Sequence, residues 1–470
     1  MTTLFKNGTV ITATGADPAE VLVDGEKIVA LMAPGSGPAD TAERGAERVV
    51  DASGKYVIPG GVDCHTHMEL PFGGTNASDT FETGTRAAAW GGTTTIIDFA
   101  VQSAGQNVRT CLDEWMAKAE GNCAIDYAFH MIIGGVDDSS LKEMDILVDE
   151  GITSFKLFMA YPGVFLSDDA QILRAMQQAS GNGGMIMMHA ENGIAIDLLA
   201  EQAVERGETD PIYHGIVRRA EFESEATHRA IQLAKVGAAP LYIVHLSASE
   251  ALEQVAIARG KGMNVFAETC PQYLYLNLED HLGAPGFAGA GYVCSTPLRT
   301  KHEHHHADLW NGLRTNDLSV VSTDHCPFCM KEQKELGIGD FRAIPNGIGS
   351  VEHRMDLIYQ GVLQGEITLP RWVELCATTP ARMFGMYPQK GVIAPGSDAD
   401  IVLYDPNASW TISVDNHHMN MDYSAWEGFE IQGKVDTVMS RGKIVLENNE
   451  YLGAPGDGKY QPRGLSSYLI

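Results

Sequence analysis

Two hydrophobic rhythms divide the chain. Residues 1–58 set β-prone runs between turns: FKNGTVITA, AEVLVDGEKIVAL and RVVDASGKYVIPG, with Asn7-Gly8 and Asp24-Gly25 as hairpin signals. The same style returns after Gly396 in DADIVLYDP, SWTISV and EIQGKVDTVMSRGKIVLENNE, where Arg441-Gly442 marks another tight turn. Each terminal stretch is too small to bury a good core alone. The two are therefore expected to build one small β-sandwich domain from 1–58 and 386–449.

Between them, apolar runs alternate with helix-length connections. The runs are YVIPGGVDCHTH (56–67), TTTIIDFA (93–100), IDYAFHMII (125–133), SFKLFMA (154–160), MIMMHA (185–190), LYIVHLS (241–247), NVFAETC (264–270) and LSVVSTDH (318–325). Eight near-continuous apolar strands predict parallel pairing with a helical cover, an α/β protein whose centre is a (β/α)8 TIM-like barrel over 59–385. SLKEMDILVDEG (140–151) and SEATHRAIQLAKVG (224–237) carry the helical period. An open doubly wound sheet is the rival architecture. It calls for a Gly-rich dinucleotide loop after the first strand, where this chain has PGGVDCHTH. Residues 450–470 read as a C-terminal tail whose Tyr and Leu side chains are expected in oligomer contacts. Within it, GAPGDGK (453–459) imitates a phosphate loop but lacks the following Ser/Thr and the strand-loop-helix context.

Composition narrows the class. Of 470 residues, 44% are apolar and 20% charged, and the net charge of -28 opposes a non-specific grip on nucleic acid or an anionic membrane. No 18-residue apolar run exists, and no apolar segment follows a basic start, so a cytoplasmic protein is expected. Eight Cys in a chain able to build its own core read as reduced thiols, Cys326 and Cys329 included.

The chemistry lies at the strand ends. His65 and His67 close the first run, Lys156 lies in the fourth, His189 in the fifth, His245 in the sixth and Asp324 in the eighth. In a barrel these ends share the catalytic face. The period of two puts His65 and His67 on one side of their strand, so both imidazoles can reach one ion. An ammonium among such ligands repels cations, and Lys156 resolves that conflict if carbon dioxide carbamylates it into an anionic oxygen donor able to bridge two divalent ions. Zinc is the expected metal, with manganese the alternative. Asp324 can serve both as ligand and as the carboxylate that takes a proton from the attacking hydroxide and returns it to the leaving nitrogen. His325, one residue on, faces the other way and reads as structural. His302 and His304–His306 read as a solvated helix start.

The segments PGGVDCHTHMELPFGG (59–74), GITSFKLFMAY (151–161), MMHAENG (187–193), IVHLSA (243–248), ETCPQYLYL (268–276), CSTPLR (294–299), VVSTDHCPF (320–328) and IPNGIGSVEHR (344–354) together resemble the D-hydantoinase/dihydropyrimidinase family of cyclic amidohydrolases over essentially the whole length. The resemblance implies metal-dependent hydrolytic opening of hydantoins or 5,6-dihydropyrimidines to N-carbamoyl amino acids by a metal-bridging hydroxide. It assigns one metal to His65, His67, carbamylated Lys156 and Asp324, and the other to Lys156, His189 and His245. It also implies an oxyanion contact from Tyr161, backbone contacts to the cyclic amide or imide from Ser295 and Asn346, and a homotetramer. Leu70, Phe72 and Phe165 lie on loops beside the proposed ligands and are candidates for the wall that meets a ring substituent. The nearby alternative is a related hydrolase acting on allantoin or dihydroorotate; the latter's carboxylate needs a cation, for which Arg299 is the one candidate. A metal-free scaffold would be expected to have lost ligands, and a single-zinc deaminase leaves Lys156 unexplained.

Overall fold

Eight parallel strands in strict sequential order surround the centre of the molecule: β1 Gly61–Thr66, β2 Thr93–Val101, β3 Asp126–Ile132, β4 Ser154–Phe158, β5 Met185–His189, β6 Leu241–Ile243, β7 Val265–Thr269 and β8 Val320–Val321. The computed structural model describes residues 1–103 and 105–469. Every residue of these strands is buried, as parallel strands covered on both faces require. The covering helices show why. In Asp169–Asn182, Ile172, Ala175, Met176 and Ala179 recur at three- and four-residue spacing and form the buried stripe, while the Asp168 side chain caps the start by accepting from the Gln171 N–H.

Side chains close the ring. Between β8 and β1 there is one backbone bridge, Thr66 to His325. Buried Arg354 donates from Nη1 to the carbonyls of Val62 and Val321, 3.0 Å each, and the Thr323 hydroxyl donates to Asp63 at 2.6 Å. This seam carries the chain after β8 directly over the end of β1. The runs at 241–247 and 318–325, expected as full strands, are shorter. Their backbone turns left-handed at His245 (φ 38°) and Asp324 (φ 51°), a conformation that ends a ladder.

The accessory domain joins both chain ends. Tyr56–Pro59 pairs parallel with Thr9–Thr12 and antiparallel with Ile401–Thr411, inside a seven-stranded sheet. A four-stranded sheet of Thr2–Lys6, Glu20–Asp24, Lys27–Met32 and Arg48–Asp51 completes it. Phe5, Val21, Val23, Ile28, Val57, Ile401, Leu403 and Met439 are the shared core.

The tail, expected in oligomer contacts, also engages its own barrel through its polar groups. The Tyr127 N–H donates to the Lys459 carbonyl (3.1 Å), the Gln461 N–H to the Tyr127 carbonyl (2.8 Å), and the Arg463 N–H to the Gly151 carbonyl (2.9 Å). The buried Arg463 guanidinium donates to the Phe129 carbonyl (2.5 Å) and to Ser154 Oγ (2.9 Å). The start of β3 offers unpaired backbone groups at the end of the barrel away from the proposed ligands, and the tail satisfies them. A chain ending at Asn449 is expected to lose apparent Tm by about 5 °C or more through these lost contacts. An unchanged melting curve would contradict the anchoring role.

Candidate metal centre at the barrel mouth

The structure brings all six proposed ligands to one place. Asp324 Oδ1 lies 3.1 Å from His65 Nε2 and 3.3 Å from His67 Nε2. Lys156 Nζ lies 2.9 Å from His65 Nε2, and His189 Nδ1 lies 2.9 Å from His245 Nε2. The rings of His65 and His245 are 5.5 Å apart, which joins the two groups. All six residues are buried.

Donor chemistry tests whether a metal fits. Glu268 accepts from Nδ1 of His65, and Glu191 accepts from Nε2 of His189 at 2.7 Å. Each acid holds the proton on the outer nitrogen, so the inner nitrogen presents a lone pair. At His65 that lone pair faces a carboxylate oxygen. That pairing at 3.1 Å calls for a bridging positive charge, either a proton on the imidazole or a metal cation. Protonation states agree with a ligand role. Burial holds His67 down to about 3 and His189 and His245 below the usual range, so these imidazoles are neutral. Burial pushes Asp324 upward, yet His65 and His67 outweigh it and keep the carboxylate ionised. At His65 burial and Lys156 pull down, but Glu268 and Asp324 prevail and raise it; a cation at Nε2 would compete for that proton position. Burial lowers Lys156 to about 8. The residues therefore fit a divalent cation at His65, His67 and Asp324, with His189 and His245 offering a second pair of nitrogens beside it.

The remaining candidates line the same cavity. Leu70, Phe72, Tyr161, Phe165, Ser295 and Asn346 line it together with His67, Lys156, His189, His245 and Asp324. Asn346 Nδ2 donates to Ser295 Oγ at 2.8 Å, so these two side chains hold each other while their backbones line the wall. Tyr161 is left-handed (φ 63°), as are His245 and Asp324, so three residues of the mouth hold a conformation uncommon outside glycine. Burial raises the Tyr161 phenol to about 12, so it remains a hydrogen-bond donor at neutral pH. The Phe72 and Tyr161 rings meet edge to face at 5.4 Å.

His325 turns away from this cavity: its Nε2 lies 3.0 Å from Asp79 Oδ2, and its Nδ1 accepts from the Ser350 N–H at 3.2 Å. His305, read as solvated, is instead buried, with Nδ1 accepting from the Ser249 N–H at 3.0 Å. Glu268, Glu191 and Asp98 escaped the sequence reading. Asp98 accepts from Thr66 Oγ1 (2.7 Å) and the Met68 N–H (2.9 Å), fixing the turn that carries His67. Their signal was available: each is an acid inside or beside an otherwise apolar run, where an unpaired charge is costly.

Comparisons with known proteins agree in scope. The pattern of the amidohydrolase family matches residues 56–445. The chain is 64% identical over 467 residues to a D-hydantoinase of Streptomyces coelicolor, covering 99% of each. It is 46% identical to a D-hydantoinase of Geobacillus stearothermophilus, covering 100% of this chain and 98% of that one. The crystal structure of a dihydropyrimidinase from Brevibacillus agri NCHU1002 matches with a TM-score of 0.95 at 46% identity, over 100% of both chains.

A second group of buried acids, Asp126, Asp398 and Asp400, also has ligand-like spacing. It already holds a cation. Lys390 Nζ lies 2.5, 3.0 and 2.8 Å from the three carboxylates, and Arg441 Nε is 2.8 Å from Asp126. This cluster ties the start of β3 to the accessory domain and is structural. Burial alone would lower Lys390, but Asp400, Asp126 and Asp398 raise it above its ordinary 10.5. Burial would raise Asp398, but Lys390 and Lys27 hold it below 3.8. The stability these two shifts supply therefore spans the range between those values; it is lost as pH falls through the Asp398 value or rises through that of Lys390. Lys390→Met is expected to cost about 3–5 kcal/mol at pH 7 by removing the ammonium that three buried carboxylates share and leaving Asp400 without a cation. Urea unfolding at pH 7 and pH 5 checks this: the deficit shrinks at the lower pH, where the orphaned acids take up protons. A variant as stable as the parent, or rescued by a divalent metal, would contradict the structural reading.

Proposed function

Because this chain belongs to the amidohydrolase family, on its hydantoinase/dihydropyrimidinase branch, we propose that it opens hydantoin or 5,6-dihydropyrimidine rings by metal-dependent hydrolysis, giving N-carbamoyl amino acids. The observation that carries this reading is the convergence of inward-facing lone pairs from His65, His67 and Asp324 beside a cavity walled by Tyr161, Ser295 and Asn346. Two divalent ions, zinc or manganese, held by His65, His67, Lys156, Asp324, His189 and His245, supply Lewis acidity and an acidified water when bound.

The chain's own groups do the rest. The backbones of Ser295 and Asn346 hold the planar amide or imide edge, presenting the ring carbonyl to the ligand cluster. Water adds to the carbonyl carbon between the ring carbon and the imide nitrogen. Tyr161 donates its phenolic hydrogen bond to the oxyanion that forms. Asp324 takes the proton of the attacking water and delivers it to the imide nitrogen as the C–N bond breaks, leaving a carboxylate and a carbamoyl group. Leu70, Phe72 and Phe165 form the apolar wall for a substituent on the ring.

Lys156 is modified in this reading. Its Nζ bonds to the carbon of carbon dioxide with release of a proton, and the resulting carbamate supplies anionic oxygens where an ammonium would repel both ions. Supporting this, Lys156 Nζ has His65 as its hydrogen-bond partner and burial drives it toward the neutral amine that carbamylation needs. Arg299 argues against a carboxylate-bearing ring: its guanidinium is held by Glu223 (2.5 Å), Ser247 (3.0 Å) and the Arg218 carbonyl (2.5 Å). Homotetrameric assembly and a cytoplasmic location belong to the same proposal. Exposed Ile194 and Leu198 on one helix favour association, and among the described residues no helix is long and apolar enough to cross a membrane.

Purified protein loaded with zinc or manganese is expected to turn over hydantoin, a 5-substituted hydantoin or dihydrouracil; no turnover of any of them would refute the reading. Lys156→Ala is expected to lose more than about 99% of that activity while still folding, with partial recovery in added acetate or propionate. Near-full activity in the variant with both metals retained would place the bridge elsewhere.

A further inference from the structure

Behind the wall formed by Ser295 and Asn346 lies a lysine that the reaction scheme does not use. Lys334 opens the short 3-10 turn Lys334–Gly337 and is fully buried. Its Nζ donates three hydrogen bonds, to the carbonyls of Val293 (3.0 Å), Pro345 (2.7 Å) and Gly347 (2.9 Å). No carboxylate is among these partners. Phe328 lies 5.8 Å from the ammonium, and burial pushes Lys334 down to about 7. A buried lysine held only by neutral dipoles is an expensive feature for a fold to keep.

The three acceptors are placed on the two segments that line the cavity. Val293 lies two residues before Ser295, and Pro345 and Gly347 flank Asn346 on either side. The Gly347 N–H also donates to the Val293 carbonyl at 2.9 Å, so the two segments are already neighbours. A third segment packs closely on Gly347, where a Cβ would fall 1.9 Å from the Cys326 carbonyl oxygen. Among the described residues, the backbone N–H of Asn346 and the carbonyl of Ser295 have no protein partner in this network, which leaves both for a ligand. The Pro345 carbonyl and the Asn346 N–H belong to one peptide group. An ammonium on the carbonyl polarises that group and makes its N–H a stronger donor.

We propose that Lys334 is a positioning residue for ring opening: its ammonium clamps the segments bearing Ser295 and Asn346 at a fixed separation and polarises the Asn346 N–H that grips the cyclic imide. This rests on the hydrolase reading above and names a residue that acts through the substrate-holding backbone without touching substrate. The grip is made to the ground state and the transition state alike, so its loss raises KM far more than it lowers kcat.

Lys334→Met, which keeps the stem and removes the ammonium, and Lys334→Gln, which keeps a neutral donor, test this against unsubstituted hydantoin, a substrate held by its ring edge alone. The holoenzyme and both variants are compared for metal content, melting and steady-state kinetics. With metals retained, KM is expected to rise about tenfold or more in Lys334→Met and by less in Lys334→Gln, while kcat stays within about threefold. Unchanged KM in either folded, metal-loaded variant overturns the proposal, as does an equal loss in kcat with KM constant. Failure of both variants to fold assigns Lys334 to stability alone and also overturns it. Absence of turnover by the unaltered holoenzyme would strike the hydrolase reading itself, an outcome distinct from all of these.

Discussion

Ring nitrogens and a carboxylate crowded together at hydrogen-bond distance govern the barrel mouth. His65 presents its inner nitrogen to a carboxylate because Glu268 occupies the outer one, and His189 does the same toward His245 because of Glu191. In bulk solvent such acceptors would each find a water. Here they are buried, and a bridging proton or a metal cation reconciles them. The proposed modification of Lys156 follows from the same constraint, since an ammonium beside His65 occupies the position a bridging anion would need.

The fold supplies the rigidity that this arrangement demands. Ligands from β1, β4 and β5 sit on buried strand ends, and His245 and Asp324 follow short strands at left-handed turns. Arg354 and the Asp63–Thr323 contact close the ring where the ladder does not, which brings Asp324 to His65 and His67. At the opposite end, Lys390 among three aspartates and the tail through Arg463 bind the accessory domain and the C-terminus to β3. The charged groups that tie the tail and the accessory domain to the barrel are thus paired or bonded to backbone.

Much of this was legible in the chain itself. Eight apolar runs predict the barrel, and the chemistry-bearing residues in five of them predict a cluster at its mouth, because a parallel barrel brings its strand ends together. What stayed hidden depended on partners distant in sequence. Glu268 could be seen as an acid in an apolar run, but its role at His65 needed the fold, which joins residues 203 apart. Lys334 gave no sign of its work, since its partners are carbonyls and carry no side-chain signature. The tail's hold on its own barrel stayed hidden because its partners there are backbone groups, which carry no side-chain signature. The shortened sixth and eighth strands were invisible because their left-handed residues are His and Asp, neither of which announces a turn as glycine does.

The account stands on the state of one nitrogen. Zinc-loaded protein equilibrated with 13C-bicarbonate and examined by carbon NMR is predicted to show one carbamate carbon per chain, absent from Lys156→Ala and lost together with the metals on acidification. Full metal content with no carbamate signal would contradict the central claim and leave the buried lysine of the barrel mouth to be explained another way.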